Sequence, residues 1–390
     1  MTTPVWQPRP LFDAEHESFR ASVRTFLERH AVPHLEEWER ERMVPREVWL
    51  EAGRQGLLGT SVPEDLGGGG SGDVRYRIVM IEEFAKLGAT SIGNGFATHC
   101  DVVLPYFLSL ADDEQAKRWI PDMAEGRAIG AVAMTEPEAG SDLQGIRATA
   151  RRDGSDWIIS GAKTFISNGI QSDLVVVFVR TDPNAGSKGF SLFVVERGMP
   201  GFERGRQLRK IGLHGQDTAE LHFTDVRVPA DNLLGEEGAG LSNLMQNLPW
   251  ERMSIAATGT AGATAALAWT VDHVCTRTAF GKRLADFQNT QFVLADLASE
   301  VEVVQAYVDA ALLRLNAGTL TVVDAAKAKL RATELHKRVV DGCVQLFGGY
   351  GYMEEYAIAR AYADTRVTTI YGGTSEVMKL IIARDLLGRS

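Results

Sequence analysis

The chain has 390 residues, of which 45% are hydrophobic and 24% charged, and its formal net charge is −10. These values predict a soluble globular protein of two or three domains and argue against a disordered chain. The acidic balance disfavours nucleic-acid binding, which depends on clustered Lys and Arg. No run of about 18 apolar residues is present, so we expect no membrane span.

The cysteines and the N-terminal residues indicate the cellular compartment in which the protein is expected. Cys100, Cys275 and Cys343 are sparse, odd in number and not at metal-ligand spacing, which indicates reduced thiols. The first residues have neither the apolar core of a secretory signal nor the Arg-rich, acid-poor composition of a transit peptide. We therefore expect a cytoplasmic protein.

The first third of the chain has the periodicity of helices. Apolar residues recur three and four positions apart in 16–30 and 46–59, and a helix is predicted over Val74–Leu87. We expect a helical domain over residues 1–129. The glycine-rich stretch 67–72 formally fits GxGxxG, but no strand precedes it. We interpret it as a flexible loop rather than a nucleotide site.

The middle of the chain has the composition of β-strands rather than helices. Residues 156–169, 173–181, 189–196 and 219–229 are short, rich in β-branched and aromatic residues, and bounded by Gly, Pro, Asn and Asp. They predict a small β-domain over residues 130–237.

Longer helical patterns return after residue 238. Wide apolar faces predict four helices that form a bundle over residues 238–390, namely Ser254–Ala279, Asn289–Ala317, Thr321–Gly348 and Ser375–Leu387. Helices, then strands, then helices make an α+β multidomain fold rather than an alternating βαβ chain.

Five short motifs follow one another from the start of the β-domain to the C-terminus. The first, Ala133–Asp142, contains several small and hydroxyl residues in one turn. Taken alone, this composition is as typical of an ordinary turn as of a ligand-binding turn. The others are Phe165-Ile166-Ser167-Asn168, Arg277-x-x-Phe280-Gly281-Lys282 with Phe287-Gln288, Gln345–Tyr352, and Tyr371-Gly372-Gly373-Thr374-Ser375-Glu376. In this order and at this spacing they resemble the acyl-CoA dehydrogenase family. The segments 142–146, 216–223, 248–252 and 370–379 are most similar to its long-chain-type branch.

The resemblance implies an FAD-dependent enzyme that desaturates an acyl-CoA thioester to the trans-2-enoyl-CoA. In the family a base takes the α-proton, the β-hydride passes to flavin N5, and the electrons go to an electron-transferring flavoprotein. It also implies a homotetramer, with a dimer as the alternative. Two rival functions stay open: an acyl-CoA oxidase or flavin monooxygenase of the same fold, and a non-enzymatic or DNA-associated member of the superfamily. The acidic charge argues against the second rival.

The resemblance also assigns cofactor and substrate contacts. Residues expected at FAD are Val132, Met134, Thr135, Gly140, Ser141, Phe165, Ile166, Ser167, Arg277, Phe280, Gln288, Gln345, Leu346, Gly348, Gly349, Thr374, Ser375 and Glu376. Residues expected at the substrate are Ser141, Pro249, Trp250, Arg252, Gly372 and Gly373. Trp250 could narrow the site or pack outside it. No metal site is expected, because His30 and His34 are separated by Pro33 and no third ligand is evident.

The catalytic base is the most specific prediction. Most family members carry a carboxylate at the position of Gly372, which has no side chain here. A subset, including the long-chain enzymes, carries it on a bundle helix before an arginine, and Glu251-Arg252 matches that place. The alternative is that Glu251 is a carboxylate at a helix N-terminus, favoured by the helix dipole. The N–H of Gly372 is expected to stabilise the enolate, since glycine permits close approach.

Overall fold

The N-terminal part of the chain is helical, as predicted. The computed structural model describes residues 5–388. Its first seven helices are α1 (Ala14–His30), α2 (Leu35–Glu41), α3 (Arg46–Arg54), α4 (Arg75–Lys86), α5 (Thr90–Ala97), α6 (Leu104–Leu110) and α7 (Asp113–Ala124). A π-helical segment, Thr98–Val103, joins α5 to α6. The helix predicted over 74–87 is one residue shorter at each end.

The glycine-rich loop before α4 is fixed by its own backbone. The N–H groups of Gly68, Gly69, Gly70 and Ser71 all donate to carbonyls of residues 59–63. A Cβ at Gly68 would lie 2.2 Å from the Val62 carbonyl oxygen, so only glycine fits there. The N–H groups are therefore not available to a phosphate, and the loop is held rather than flexible.

A seven-stranded sheet follows. Its strands are β1 (Gly130–Ala133), β2 (Thr149–Asp153), β3 (Asp156–Ser167), β4 (Leu174–Arg180), β5 (Phe190–Glu196), β6 (Phe202–Gln207) and β7 (Thr218–Val228). They pair in the order β1-β4-β2-β3-β7-β6, and β5 also pairs with β4. The apolar runs in β4 and β5 do not alternate because both faces are buried. Val176 and Phe178 face the cluster that contains α6 and α7, whereas Val175 and Val177 face the interior of the sheet.

The C-terminal part consists of five helices: α8 (Gly240–Thr276), α9 (Gln288–Asn316), α10 (Val322–Phe347), α11 (Ala357–Thr365) and α12 (Ser375–Leu386). A short hairpin, β8 (Thr278–Ala279) and β9 (Lys282–Arg283), lies between α8 and α9. The predicted start of α8 at Ser254 is wrong by fourteen residues, because the helix continues through Pro249. The short helix α11 was not predicted.

Small residues let α8 and α10 approach closely. Ala257, Ala261 and Ala265 of α8 meet alanines of α10 in one buried cluster. A Cβ at Gly259 would lie 2.9 Å from the Ala332 carbonyl oxygen. The predicted α+β multidomain fold with a helical bundle at its C-terminal end is confirmed. The domain boundaries 1–129, 130–237 and 238–390 stay predictions. None of the helices within residues 5–388 is long and apolar enough to span a membrane.

Candidate active site

Glu251 lies within α8, eleven residues after its first residue, and is 6% exposed. The hydroxyl of Tyr106, a fully buried residue of α6, donates a hydrogen bond to Glu251 Oε1 at 2.9 Å. Burial raises the pKa of Glu251 to about 7, although the Tyr106 hydroxyl and the neighbouring Arg252 act in the opposite direction. Glu251 is thus a buried carboxyl that titrates near neutral pH.

The alternative interpretation of Glu251, a carboxylate at a helix N-terminus, is wrong. Helix α8 begins at Gly240, eleven residues before Glu251, so the effect of the helix dipole at its first turn does not reach this side chain. A dipole-stabilised carboxylate would also have a lowered pKa, whereas that of Glu251 is raised.

Helix α8 is fixed to the preceding helices next to Glu251, the predicted base. Ser254 Oγ donates to Asp101 Oδ2 at 2.7 Å, and Asp101 Oδ1 accepts from Arg77 Nε at 2.6 Å. All three side chains are buried. Because Asp101 belongs to the π-helical segment that precedes Tyr106, this network sets the distance between α6 and α8. It thereby supports the hydrogen bond from Tyr106 to Glu251.

The glycine pair before α12 faces the same stretch of α8. Gly372 and Gly373 have φ of +64° and +92°, which side chains tolerate poorly. A Cβ at Gly372 would lie 2.3 Å from Ile255 Cδ1, and Ile255 is one helical turn beyond Glu251. The space that a longer residue 372 would need is therefore filled by α8 itself.

Two buried cations hold the carbonyls of this glycine pair. Arg252 Nε donates to the Gly372 carbonyl at 3.4 Å, and Lys329 Nζ donates to the Gly373 carbonyl at 2.7 Å. The N–H groups of Gly372 and Gly373 have no acceptor among residues 5–388. The turn thus presents free N–H donors close to Glu251, as the predicted enolate-stabilising role of Gly372 requires.

The first motif is anchored by a buried ion pair. Lys163 Nζ contacts Glu136 Oε1 and the Met134 carbonyl oxygen, each at 2.9 Å. The Glu136 carboxylate also accepts from the N–H groups of Arg147 and Ala148. Glu136 thereby holds together the two ends of the loop that contains Gly140 and Ser141, which are both exposed.

The second motif lies beside the first. The Thr164 N–H donates to the Thr135 carbonyl at 2.9 Å, which joins the loop to β3. Phe165 has φ of +60° and is 67% exposed, so its ring projects from an irregular point in the strand. The side chain of Ile166 packs in the interior of the sheet. Only the backbone of Ile166 is therefore available to a cofactor. Val132, Met134, Thr135 and Ser167 are half-buried.

A second group of predicted FAD residues lines an open groove at the end of the bundle. Arg277, Gln345, Leu346, Gly348 and Gly349 all contribute to its walls. The Arg277 guanidinium lies 5.1 Å from the centre of the Tyr350 ring, which also lines the groove. A cation, an aromatic ring and two adjacent glycines fit a cofactor that carries phosphate and an aromatic base.

The remaining predicted residues lie apart from both groups. Phe280 is 96% exposed on the hairpin, and Gln288 is exposed at the first turn of α9. Thr374 is the N-cap of α12, where its hydroxyl accepts from the Val377 N–H, and Glu376 is exposed beside the buried Ser375. Pro249 lies on α8 two residues before Glu251, and Trp250 packs against the buried cluster of the bundle.

Four residues of the site were missed by sequence reasoning: Tyr106, Glu136, Lys163 and Lys329. Tyr106 and Lys329 lie in helical stretches where nothing in the local pattern indicates a role. Glu136 and Lys163 lie within or beside the predicted motifs, but they are 27 residues apart and only the fold pairs them. Lys163 carries the one available signal, a Lys within a predicted strand that is rich in β-branched and aromatic residues.

Family models and known structures match the whole architecture. Models described as the N-terminal, middle and C-terminal domains of acyl-CoA dehydrogenase match residues 13–127, 131–226 and 238–387. The chain belongs to the acyl-CoA dehydrogenase family. The long-chain specific acyl-CoA dehydrogenase of Sus scrofa, named as mitochondrial, is 49% identical over 97% of this chain and 88% of that protein.

Solved structures agree. An acyl-CoA dehydrogenase from Geobacillus kaustophilus has a TM-score of 0.95 and 47% identity, covering 97% of this chain and all of that one. A glutaryl-CoA dehydrogenase from Mycobacterium smegmatis, solved with FADH2, has a TM-score of 0.92 and 29% identity, covering 100% and 99%. The predicted family, fold, FAD cofactor and enzyme class are confirmed, and the oxidase alternative is not favoured.

The raised pKa of Glu251 predicts the pH dependence of this acyl-CoA dehydrogenase. Glu251, as the predicted base, must be ionised to accept a proton, so kcat/KM for an acyl-CoA should fall tenfold per pH unit below about 7. Tyr106→Phe removes a hydrogen bond to the carboxylate and should move this acid limb upward by about one pH unit or more. A profile from pH 5.5 to 9 with a dye acceptor measures both. Tyr362→Phe, at an exposed position of α11, is the matched control. If the acid limb of the Tyr106→Phe profile lies at the same pH as that of the wild type, the prediction is contradicted.

Proposed function

We propose that Glu251 is the base that removes the α-proton of the acyl-CoA thioester in this enzyme. The observation that carries the proposal is one buried carboxyl beside a glycine turn with free N–H groups. A thioester α-proton is weakly acidic, so its removal needs a desolvated carboxylate and donors aimed at the developing enolate oxygen. Glu251 supplies the first requirement and the Gly372 N–H the second.

The neighbouring cations have a positioning role. Arg252 and Lys329 bind the carbonyl oxygens of Gly372 and Gly373, which fixes the two peptide planes that follow these residues. The conformation of the turn that carries the Gly372 N–H is thereby held. Both cations are buried, which strengthens their field at the thioester oxygen. Negative charge that develops on that oxygen is thereby favoured.

The cofactor contacts form two groups on this chain. The loop over 135–142 and the exposed Phe165 would hold the flavin ring, and the groove around Arg277 and Gly348 would hold phosphate and adenosine. When bound, the flavin accepts the β-hydrogen as a hydride. Electrons then leave to an electron-transferring flavoprotein, as the family resemblance implies.

The acyl tail is assigned to a cavity between α4, α5 and α8. Glu251, Ile255, Thr258 and Gly262 lie on one face of α8, spaced at four, seven and eleven residues. Thr258 and Gly262 line the cavity, and Tyr371, which precedes the glycine turn, lines it as well. Because the cavity touches the same face of α8 as Glu251, an acyl chain that starts at this residue would extend along α8 into it.

A homotetramer, or the alternative dimer, is supported by the large apolar side chains exposed on the C-terminal part, such as Phe280, Phe292, Tyr352 and Leu386. Phe280 follows Arg277 by three residues in the sequence, so we expect a second copy that covers this hairpin to complete the cofactor groove. Light scattering after gel filtration should give four times the 42.6 kDa of one chain. Phe280→Ser should lower both this mass and the FAD content. A monomer with full FAD content would contradict the proposal. A cytoplasmic location stays a prediction.

Anaerobic titration tests the proposed function. Hexadecanoyl-CoA should bleach the flavin absorbance of the purified enzyme, and mass spectrometry should identify the trans-2-enoyl-CoA. Electron-transferring flavoprotein should restore the absorbance faster than air does. No bleaching with any acyl-CoA from C4 to C16 would overturn the function. Rapid reoxidation by air with release of hydrogen peroxide would instead favour the oxidase alternative.

A further inference from the structure

Two residues that line the cavity beyond the base have buried polar atoms without partners. His336 is 5% exposed and Thr365 is 1% exposed, and both line the cavity. His336 Nδ1 and Thr365 Oγ1 have no hydrogen-bond partner among residues 5–388. A buried polar atom without a partner destabilises the folded chain, so two such atoms on residues of one cavity need an explanation.

Other polar groups on the same wall are satisfied within the chain. Asn94 donates to Gln216, Thr258 donates to the Ser254 carbonyl, and Thr368 donates to the Thr365 carbonyl. The lack of partners is thus confined to particular atoms rather than spread over the cavity.

His336 has a defined place on the wall. A Cβ at Gly262 would lie 2.4 Å from His336 Nε2, so the imidazole edge rests against α8 where only glycine leaves room. Burial lowers the pKa of His336 to about 4, so the ring is neutral and offers one donor and one acceptor. The Thr365 hydroxyl also offers both.

We infer that this cavity receives an acyl chain that carries an uncharged oxygen substituent, a hydroxyl or keto group, on its distal half. Such an oxygen would pair with His336 and Thr365, whereas a plain alkyl chain leaves them without partners. This inference rests on the proposed function, because it extends the acyl path that begins at Glu251.

A charged substituent fits less well. No Lys or Arg is among the described residues that line the cavity, and Asp364 lines it too. A terminal carboxylate would therefore enter without a cation to neutralise it and next to an acid.

The position of the substituent follows from helix geometry. Thr258 and Gly262 lie seven and eleven residues beyond Glu251, or roughly 10 to 16 Å along α8. Because carbon–carbon bonds of about 1.5 Å advance an extended chain by roughly 1.25 Å each, this distance corresponds to about C10 to C15 of the acyl group.

A substrate series on the holoenzyme tests the inference. We would compare hexadecanoyl-CoA with hydroxyhexadecanoyl-CoA isomers that carry one hydroxyl at about C10 to C15, using a dye acceptor. At least one isomer should show a kcat/KM about three- to tenfold above that of the plain chain. Plain-chain kcat/KM equal to or above that of every isomer would overturn the inference and indicate that water satisfies these atoms.

Two variants and a control connect the preference to the named atoms. Thr365→Val keeps the shape but removes the hydroxyl, and it should bring the hydroxyl-to-plain ratio to within about twofold of one. His336→Leu should do the same. Thr270→Val, a buried threonine of α8 whose hydroxyl bonds the Ala266 carbonyl, should keep the preference. If hexadecanoyl-CoA bleaches the flavin but the hydroxyl-to-plain ratio of kcat/KM is unchanged in both variants, this inference fails while the proposed function stands.

Discussion

Glu251→Gln is expected to bind FAD and acyl-CoA yet to lose flavin bleaching by about 10²- to 10⁴-fold, the usual contribution of a general base. The amide oxygen can still accept the Tyr106 hydrogen bond that Glu251 Oε1 accepts now, so the fold should not change. Stopped-flow reduction with hexadecanoyl-CoA measures the effect. Glu302→Gln, at an exposed position of α9, is the matched control. Reduction at near wild-type rate would refute the assignment of the base.

A transplanted base gives a sharper form of the same test. Placing Glu at position 372 in the Glu251→Gln variant should not restore activity by itself, because the Cβ would lie 2.3 Å from Ile255 Cδ1. Adding Ile255→Ala removes that atom and should allow partial recovery. The positive φ of +64° still strains any side chain there, so recovery stays incomplete. Equal activity with and without the Ile255 change would show that this contact does not block the position.

The second large effect is expected at the ion pair beneath the first motif. Lys163→Met leaves Glu136 charged and buried without its cation, and such a loss typically costs about 3–5 kcal/mol. It also removes the hydrogen bond to the Met134 carbonyl. We expect a lower melting temperature and a lower ratio of flavin to protein absorbance.

Two further variants separate charge from packing at this pair. The double variant Glu136→Gln with Lys163→Met removes both charges and should recover part of the lost stability, since no uncompensated charge remains. Lys188→Met changes an exposed lysine and should leave the melting temperature unchanged within error. If Lys163→Met retains both its melting temperature and its flavin, the ion pair does not hold the loop.

The sequence by itself determined the family and the α+β multidomain fold, and it singled out the residue that we propose as the base. The helical and strand periodicities, together with five ordered motifs, required only local residue patterns. Glu251 was identified from a glycine at 372 and an acid before Arg252, which is a comparison of two positions along the chain. Such signals need no coordinates.

Only the tertiary structure decided what surrounds these residues. Tyr106 reaches Glu251 across 145 positions, and Lys329 reaches Gly373 across 44, because helices cross where packing places them. The sequence placed Glu251 near a helix start, whereas α8 begins at Gly240 and continues through Pro249, so that Glu251 is a buried residue inside the helix. Burial then raised its pKa to about 7, since desolvation depends on every neighbouring element and not on local sequence.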